Sequence, residues 1–270
     1  MISREMNRFL PILLLTALLA GPVARAQLAV QADTTAFRTL ELQQPAFRAT
    51  QLIAPGALIA AGVGIHCFGH ETIDGPVNTW FQERLRAGGP ELHFDNYIQY
   101  VPIVSYLGLG LIGAKAEHGF VDRLIQGTIS CVALGVISWT CKKVIDSPRP
   151  NGVNNESFPS GHTDWVFIGA ELVRMEYGWG WGAGAYAIAT TVAFMRNYNN
   201  WHWLSDVLFG AGLGILTAHI GEWLLEPTKR LLNIHTTDWG SGRRTPVQAT
   251  FAPTVDPVSG TLCAALAFRF

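Results

Sequence analysis

The run LIQGTISCVALGVISWTC, residues 124–141, leads without a break into KKVIDSPRP, residues 142–150. A helix needs roughly 17–25 mostly apolar residues to cross a bilayer, and this run meets that length before its first lysine. The pattern is a membrane span with charge gathered at its end. Two further polar islands repeat it. PSGH, residues 159–162, opens the apolar run His162–Tyr177, and RNYNNWHWLSD, residues 196–206, joins the run Trp179–Met195 to the run Trp203–Leu225. Ionisable residues near membrane depth are costly, so such islands are functional-site hypotheses by default.

Composition agrees with a membrane chain. Of 270 residues, 49% are apolar and 14% charged, a bias beyond that of an ordinary soluble domain. The formal net charge of −1 points to no nucleic-acid or acidic partner, so the basic residues matter by position and not by total. Four cysteines are too few and too scattered for a disulfide framework. Cys131 and Cys141 lie in an apolar run, where a thiol is usually a small buried hydrophobe. None stands in a C-x2-C pattern, so a zinc site has no support.

Taken in order, residues 1–26 read as a secretory signal, with Arg4 and Arg8 ahead of the apolar stretch Phe9 to Gly21 and an A-x-A site at Ala24-Arg25-Ala26. Residues 27–50 read as a juxtamembrane segment and 51–226 as the membrane domain. Its apolar runs are Leu52–Gly69, the weakest, with Pro55 and several glycines, then Tyr97–Ala114, Leu124–Cys141, His162–Tyr177, Trp179–Met195 and Trp203–Leu225. Their length and lack of strict alternation predict helices, since a spanning segment must be a helix or part of a closed barrel. Trp179, Trp181, Trp201, Trp203 and Trp223 cluster at run ends, as interfacial tryptophans do. Residues 227–270 form a basic tail whose β-prone stretches 247–252 and 261–270 predict a small hairpin. The expected architecture is all-α: a membrane-embedded helical bundle of five to six spans with a short C-terminal β-hairpin.

With antiparallel neighbours, the three polar islands fall on one face of the membrane, and the basic tail falls on the other with Lys115 and Arg123. The excess of cytoplasmic Lys and Arg in membrane proteins then places the islands outside the cytoplasm. A cleaved signal followed by six full spans would place them inside. The two readings agree if Leu52–Gly69 lies at the interface, or if residues 1–26 are retained.

The chemistry of the islands is that of anion handling. His202 and Asp206 are four residues apart and share a helix face. A carboxylate that accepts from one imidazole nitrogen leaves the other free as nucleophile or base; the same spacing also occurs in purely structural pairs. Lys142, Arg149 and Arg196 would need an anion between them, and the planar fork of arginine suits phosphate oxygens. Lys143 reads instead as a side chain snorkelling to lipid headgroups. Ser160 and Gly161 stand where a helix N-terminus would present backbone N–H groups to an anion, and Ser160 also suits a helix cap. His162 follows, and a second histidine suggests a division of labour: His202 attacks phosphorus and His162 protonates the leaving oxygen.

These pieces, K-x6-R-P, P-S-G-H and R-x5-H-x3-D, resemble the three signature motifs of the type 2 phosphatidic acid phosphatase superfamily, which also holds bacterial acid phosphatases and vanadium haloperoxidases. Met195 stands where that family usually has serine. The resemblance covers residues 125–225 closely and the earlier runs loosely. It implies a helical bundle with its site at the extracytoplasmic end and hydrolysis through a phosphohistidine on His202, without metal or other cofactor. It also implies that Asp206 orients His202, that His162 is the general acid, and that Lys142, Arg149, Ser160, Gly161 and Arg196 hold the phosphate. The layout is similar, more narrowly, to envelope lipid phosphatases of Bacteroides-type bacteria, which include lipid A phosphatases. The implied protein is a bacterial envelope enzyme facing the periplasm, with the bilayer and a lipid phosphate as its partners: phosphatidate, phosphatidylglycerophosphate, a polyprenyl diphosphate or lipid A phosphate. A lipid phosphotransferase using the same histidine, or a haloperoxidase-like enzyme, is the alternative; a non-catalytic lipid-binding scaffold is a further reading, against which the intact His202, His162 and Asp206 argue.

Outside the motifs, the segment 70–96, with Trp80, Phe81, Arg84, Arg86 and His93, has the amphipathic spacing of a short interfacial helix over the pocket. Glu171 and Arg174, three apart, predict a structural ion pair. Asp164 is expected near the pocket mouth and has no assigned role.

Overall fold

The computed structural model of the chain describes residues 47–234 together with the backbone of 248–255 and 262–269. The expected signal at 1–26 and nearly all of the juxtamembrane segment 27–50 lie outside the described residues.

The described chain is mostly helical. A 3-10 turn at Ala49–Leu52 leads into α1 (Ile53–Phe68), and wide turns at His70–Asp74 and Phe81–Arg86 flank α2 (Gly75–Trp80). Then come α3 (Asp95–Ile98), α4 (Val101–Gly108) with a 3-10 extension at Leu109–Ile112, α5 (Phe120–Val144), α6 (Gly161–Tyr198) and α7 (Leu204–Leu231). Strands β1 (Gln248–Val255) and β2 (Leu262–Arg269) pair antiparallel, Gln248 opposite Arg269 and Val255 opposite Leu262. Among the described residues, three helical stretches are long and apolar enough to cross a membrane: Ala49–Phe68, Phe120–Val144 and Leu204–Leu231.

The first of these is the run that looked weakest. Pro55 sits in the first turn of α1, where its missing N–H is not needed. It runs antiparallel along α7, with Gln51 bonded to Glu222 at one end and Asp74, just past it, bonded to Ser205 at the other. One side of the run, which the sequence leaves either spanning or interfacial, therefore packs on the bundle. The run Tyr97–Ala114 is wound but segmented into α3, α4 and the 3-10 turn, ending where Gly113 takes φ 99°.

The span Gly161–Tyr198 is not one rod. Gly178 has φ 77° and ψ −177°, a region essentially closed to residues with a Cβ. There the chain reverses. The Tyr186 hydroxyl donates to Glu171 Oε2 at 2.6 Å, although residues that far apart in a straight helix would be separated by about 22 Å. The two arms of α6, residues 161–177 and 179–198, therefore return to the same end of the bundle.

Helix α7 is the centre, packed against α6, α1 and α5. Close approach of backbones explains why it is rich in small residues, as helix interfaces in lipid are. A Cβ on Gly214 would stand 2.5 Å from the Asp164 carbonyl oxygen and 2.8 Å from the Ile168 nitrogen of α6. Leu134 and Ile137 of α5, Val166, Ile168 and Leu172 of α6, and Phe209 and Leu213 of α7 fill the core. Cys131 and Cys141 are free thiols within α5, as their apolar setting predicts.

Candidate active site

Three junctions meet at one end of the bundle: the exit of α5, the entry of α6, and the α6–α7 connection. Lys142 Nζ donates to the Pro159 carbonyl at 2.6 Å and the Glu156 carbonyl at 3.1 Å. Ser160 N donates to the Asp206 carbonyl at 3.2 Å, and Trp203 Nε1 to the Pro148 carbonyl at 2.8 Å. The three sequence islands are thus laced together by main-chain acceptors.

His202 is buried, and its Nδ1 lies 3.3 Å from Asp206 Oδ2. The carboxylate is itself wholly buried, and the same oxygen accepts from the Trp203 N–H at 2.9 Å and from the Ser157 hydroxyl. These donors hold Asp206 in one orientation, which fixes the side of the imidazole that it meets. Burial, first, and then the charges of Arg196, Arg149, Lys142 and His162 push the His202 pKa well below the usual histidine range. The ring is therefore neutral at physiological pH, with one nitrogen committed to Asp206.

Arg149 and Arg196 converge on one aromatic ring. Their guanidinium carbons lie 5.2 and 5.6 Å from the centroid of the Trp201 ring, one residue before His202. Arg149 Nε donates to Asn154 Oδ1 at 2.9 Å, and Arg196 Nη1 to Asp95 Oδ2 at 2.7 Å. Burial, first, and then the Arg196 charge lower the Arg149 pKa. Trp201, at a run end, thus also carries these two cations on its ring. Guanidinium groups stack on aromatic faces, so the ring fixes both forks.

Ser160, Gly161 and His162 open α6. Ser160 occupies the N-cap position, but its hydroxyl makes no capping bond and instead accepts from Thr163 Oγ1 at 2.9 Å. The capping expectation is corrected: the Thr163 hydroxyl competes for the same oxygen. His162 Nε2 lies 2.8 Å from Asn96 Oδ1. Asp164 is not at a pocket mouth; it is buried between α5 and α6, accepting from the Ser138 hydroxyl at 2.7 Å. Lys143 pairs with Glu156 at 2.8 Å on the surface instead of reaching for lipid.

Several site neighbours had no local sequence signal. Asp95, Asn96, Ser157 and Asp74 become visible only through long-range contact. Asp74, buried, accepts from the Ser205 N–H at 2.9 Å and the Ser205 hydroxyl at 2.6 Å, which caps the first turn of α7 and steadies Asp206. The segment 70–96 does contain a short helix, flanked by wide turns, and Phe81 packs against Phe194 at 5.1 Å. At the far end of the bundle, the expected Glu171–Arg174 pair is present and bidentate, at 2.6 and 2.7 Å, with His219 Nε2 2.9 Å from Glu171. Among the described residues, no group of three or more His, Cys, Asp and Glu side chains could hold a metal ion.

The cations, the neutral imidazole and its carboxylate suit capture of a tetrahedral oxyanion beside a nucleophilic nitrogen. Comparison with known proteins agrees. Lipid A 1-phosphatase of Porphyromonas gingivalis is 33% identical over 143 residues, 51% of this chain and 32% of that protein. The chain thus spans about a third of the length of the curated relative it matches. The crystal structure of Aquifex aeolicus LpxE matches 51% of this chain and 90% of its own, at 21% identity and a TM-score of 0.41. Residues 124–228, the segment that contains Lys142, Arg149, Ser160, Gly161, His162, Arg196, His202 and Asp206, match the model of the PAP2 superfamily.

Proposed function

We propose that the chain is an integral membrane phosphatase that hydrolyses a phosphate ester or anhydride of a lipid at the extracytoplasmic face of a bacterial envelope membrane. The observation that carries this reading is the convergence of Arg149 and Arg196 on the Trp201 ring beside a buried His202 whose Nδ1 is held by Asp206.

In the proposed reaction, Arg149, Arg196, Lys142 and the N–H groups at Ser160 and Gly161 hold the non-bridging oxygens. Nε2 of His202 attacks phosphorus; the bond to the ester oxygen breaks, and His162 gives that oxygen its proton. Water then attacks the phosphohistidine, His162 takes the proton back, and phosphate leaves. Phosphoryl transfer is catalysed mainly by positioning and electrostatics, which a ring of cations supplies. No step calls on a metal or a cofactor.

The substrate class is a lipid phosphate: phosphatidate, phosphatidylglycerophosphate, a polyprenyl diphosphate or lipid A. The name of the Porphyromonas gingivalis relative favours the last. The domain 51–226 is read as five to six spans, followed by the hairpin tail at 227–270. Because α1 is antiparallel to α7 and starts at the end away from His202, an external site puts Ala49 on the cytoplasmic side. Single cysteines introduced at Ala49 and Asn154, in a chain otherwise free of cysteine, should then be labelled from opposite sides; labelling of both from one side would refute this orientation.

The reaction is tested by phosphate release from that panel of four lipids, with purified protein and a His202→Ala variant. The variant should lose at least about three orders of magnitude, because the covalent route is gone. Undiminished turnover in the variant would overturn the mechanism, and a phosphorylated acceptor in place of free phosphate would make the chain a transferase.

A further inference from the structure

Asp95 and Asn96 open α3, outside the three islands, and each reaches a different member of the site. Asp95 Oδ2 accepts from Arg196 Nη1 at 2.7 Å, and Asn96 Oδ1 lies 2.8 Å from His162 Nε2. The turn that carries them is fastened to the connection that carries His202. Asn199 Nδ2 donates to the Leu92 carbonyl at 2.7 Å while its Oδ1 accepts from the Leu92 N–H at 2.9 Å. Trp201 Nε1 donates to Glu91 Oε2 at 3.3 Å. Asn96 is therefore placed by a built scaffold, although its own side chain is exposed.

A general acid must hold its proton until the leaving oxygen needs it. Burial first, and then the positive groups of Arg196, Arg149 and Lys142, oppose the imidazolium form of His162, and one carboxylate, Asp95, supports it. A carbonyl oxygen accepting from a ring N–H adds to that support and decides which nitrogen remains for substrate. We infer that Asn96 is the positioning residue for proton donation: its side-chain carbonyl holds Nε2–H of His162, so that Nδ1–H faces the leaving oxygen. As the oxygen departs from phosphorus, the Nδ1–H bond breaks, its electron pair stays on the ring, and a new O–H bond forms. The neutral ring keeps Nε2–H on Asn96. This inference rests on the phosphatase reading above.

The test uses the full chain and compares Asn96→Ala and Asn96→Asp with wild type. Each is assayed for kcat against pH with the best substrate of the lipid panel and with p-nitrophenyl phosphate, whose leaving group departs without a proton. With the lipid, the alkaline limb should move down by about one pH unit in Asn96→Ala and up by a similar amount in Asn96→Asp, the span that one hydrogen bond to a charged ring covers. Asn96→Ala should slow the lipid reaction at least about tenfold more than the nitrophenyl reaction, because one leaving group needs the acid and the other does not. Limbs that coincide with wild type in both variants, or equal losses on both substrates, would overturn the role of Asn96. Should wild type release no phosphate, or His202→Ala match it, the phosphatase reading itself fails and this inference falls with it; the two failures are distinct.

Discussion

Nη1 of Arg196 lies 2.7 Å from Oδ2 of Asp95, and both side chains are buried. The guanidinium that the R-x5-H-x3-D island contributes thus already has a carboxylate on one edge, which holds its fork against the Trp201 ring. Its Nε is buried and has no hydrogen-bond partner among the described residues.

Removing that carboxylate strands a buried cation. Asp95→Ala should destabilise the protein by about 3–5 kcal/mol, the usual consequence of deleting one partner of a buried pair. Thermal unfolding in detergent measures it. A loss under about 1 kcal/mol would mean that Arg196 finds water or another acceptor, and that the pair is not a structural tie.

Asp206→Asn tests the orienting carboxylate. The amide fills the same space and can still turn its one oxygen to His202, Trp203 and Ser157, but it lacks the charge that stabilises a cationic imidazole and can instead present its NH2 to the ring. Turnover should fall roughly 10³- to 10⁴-fold, as when a triad carboxylate is replaced by its amide. Ser157→Ala removes a single donor and should cost far less. Comparable losses in the two variants would point to Ser157 acting on substrate directly.

The pH dependence follows from His202. Its pKa is depressed, first by burial and then by the surrounding cations. The active form is the neutral ring, so the rate is lost only as pH falls through the depressed value and not at the usual histidine pKa of 6.5. The acid limb of kcat/KM should therefore lie below pH 6.5. Two substrates whose phosphate groups ionise differently separate this limb from theirs: the His202 limb stays in place. A fixed limb at or above pH 6.5 would contradict the assignment.

Gly214→Ala probes the tight crossing of α6 and α7. The new methyl would meet backbone atoms of Asp164 and Ile168, which cannot swing away. Overpacking of this kind costs about 1–3 kcal/mol, and here it would also part the helix ends that carry His162 and Asp206. Both thermal stability and turnover should drop. Gly135, which has open space around the same atom, is the control: Gly135→Ala should be close to wild type in both.

The candidate site residues were legible because each island is local. Lys142 with Arg149, Ser160 with His162, and His202 with Asp206 are spaced by one loop or one helical turn, and such spacings are visible in a linear string. Helix formation was legible for the same reason, since an apolar run of sufficient length has few ways to satisfy its backbone in lipid. The strength of a run was not. Leu52–Gly69 looks poor because it holds Pro55 and four glycines, whereas Pro55 stands in a first turn and Gly62 lets the backbone approach Phe209 of α7.

Tertiary structure alone decided the supporting cast. Asp95 and Asn96 lie far along the chain from Arg196 and His162, and nothing in their neighbourhood marks them. Trp201 looked like one more interfacial tryptophan until two guanidinium groups were placed on its ring. Hydrophobic length and local spacing are properties of consecutive residues, so the string determined that this chain builds long apolar helices and carries three motifs suited to an anion. Which groups neutralise, orient and protonate those motifs depends on contacts between residues brought together only when Gly178 turns α6 back and α7 packs into the centre.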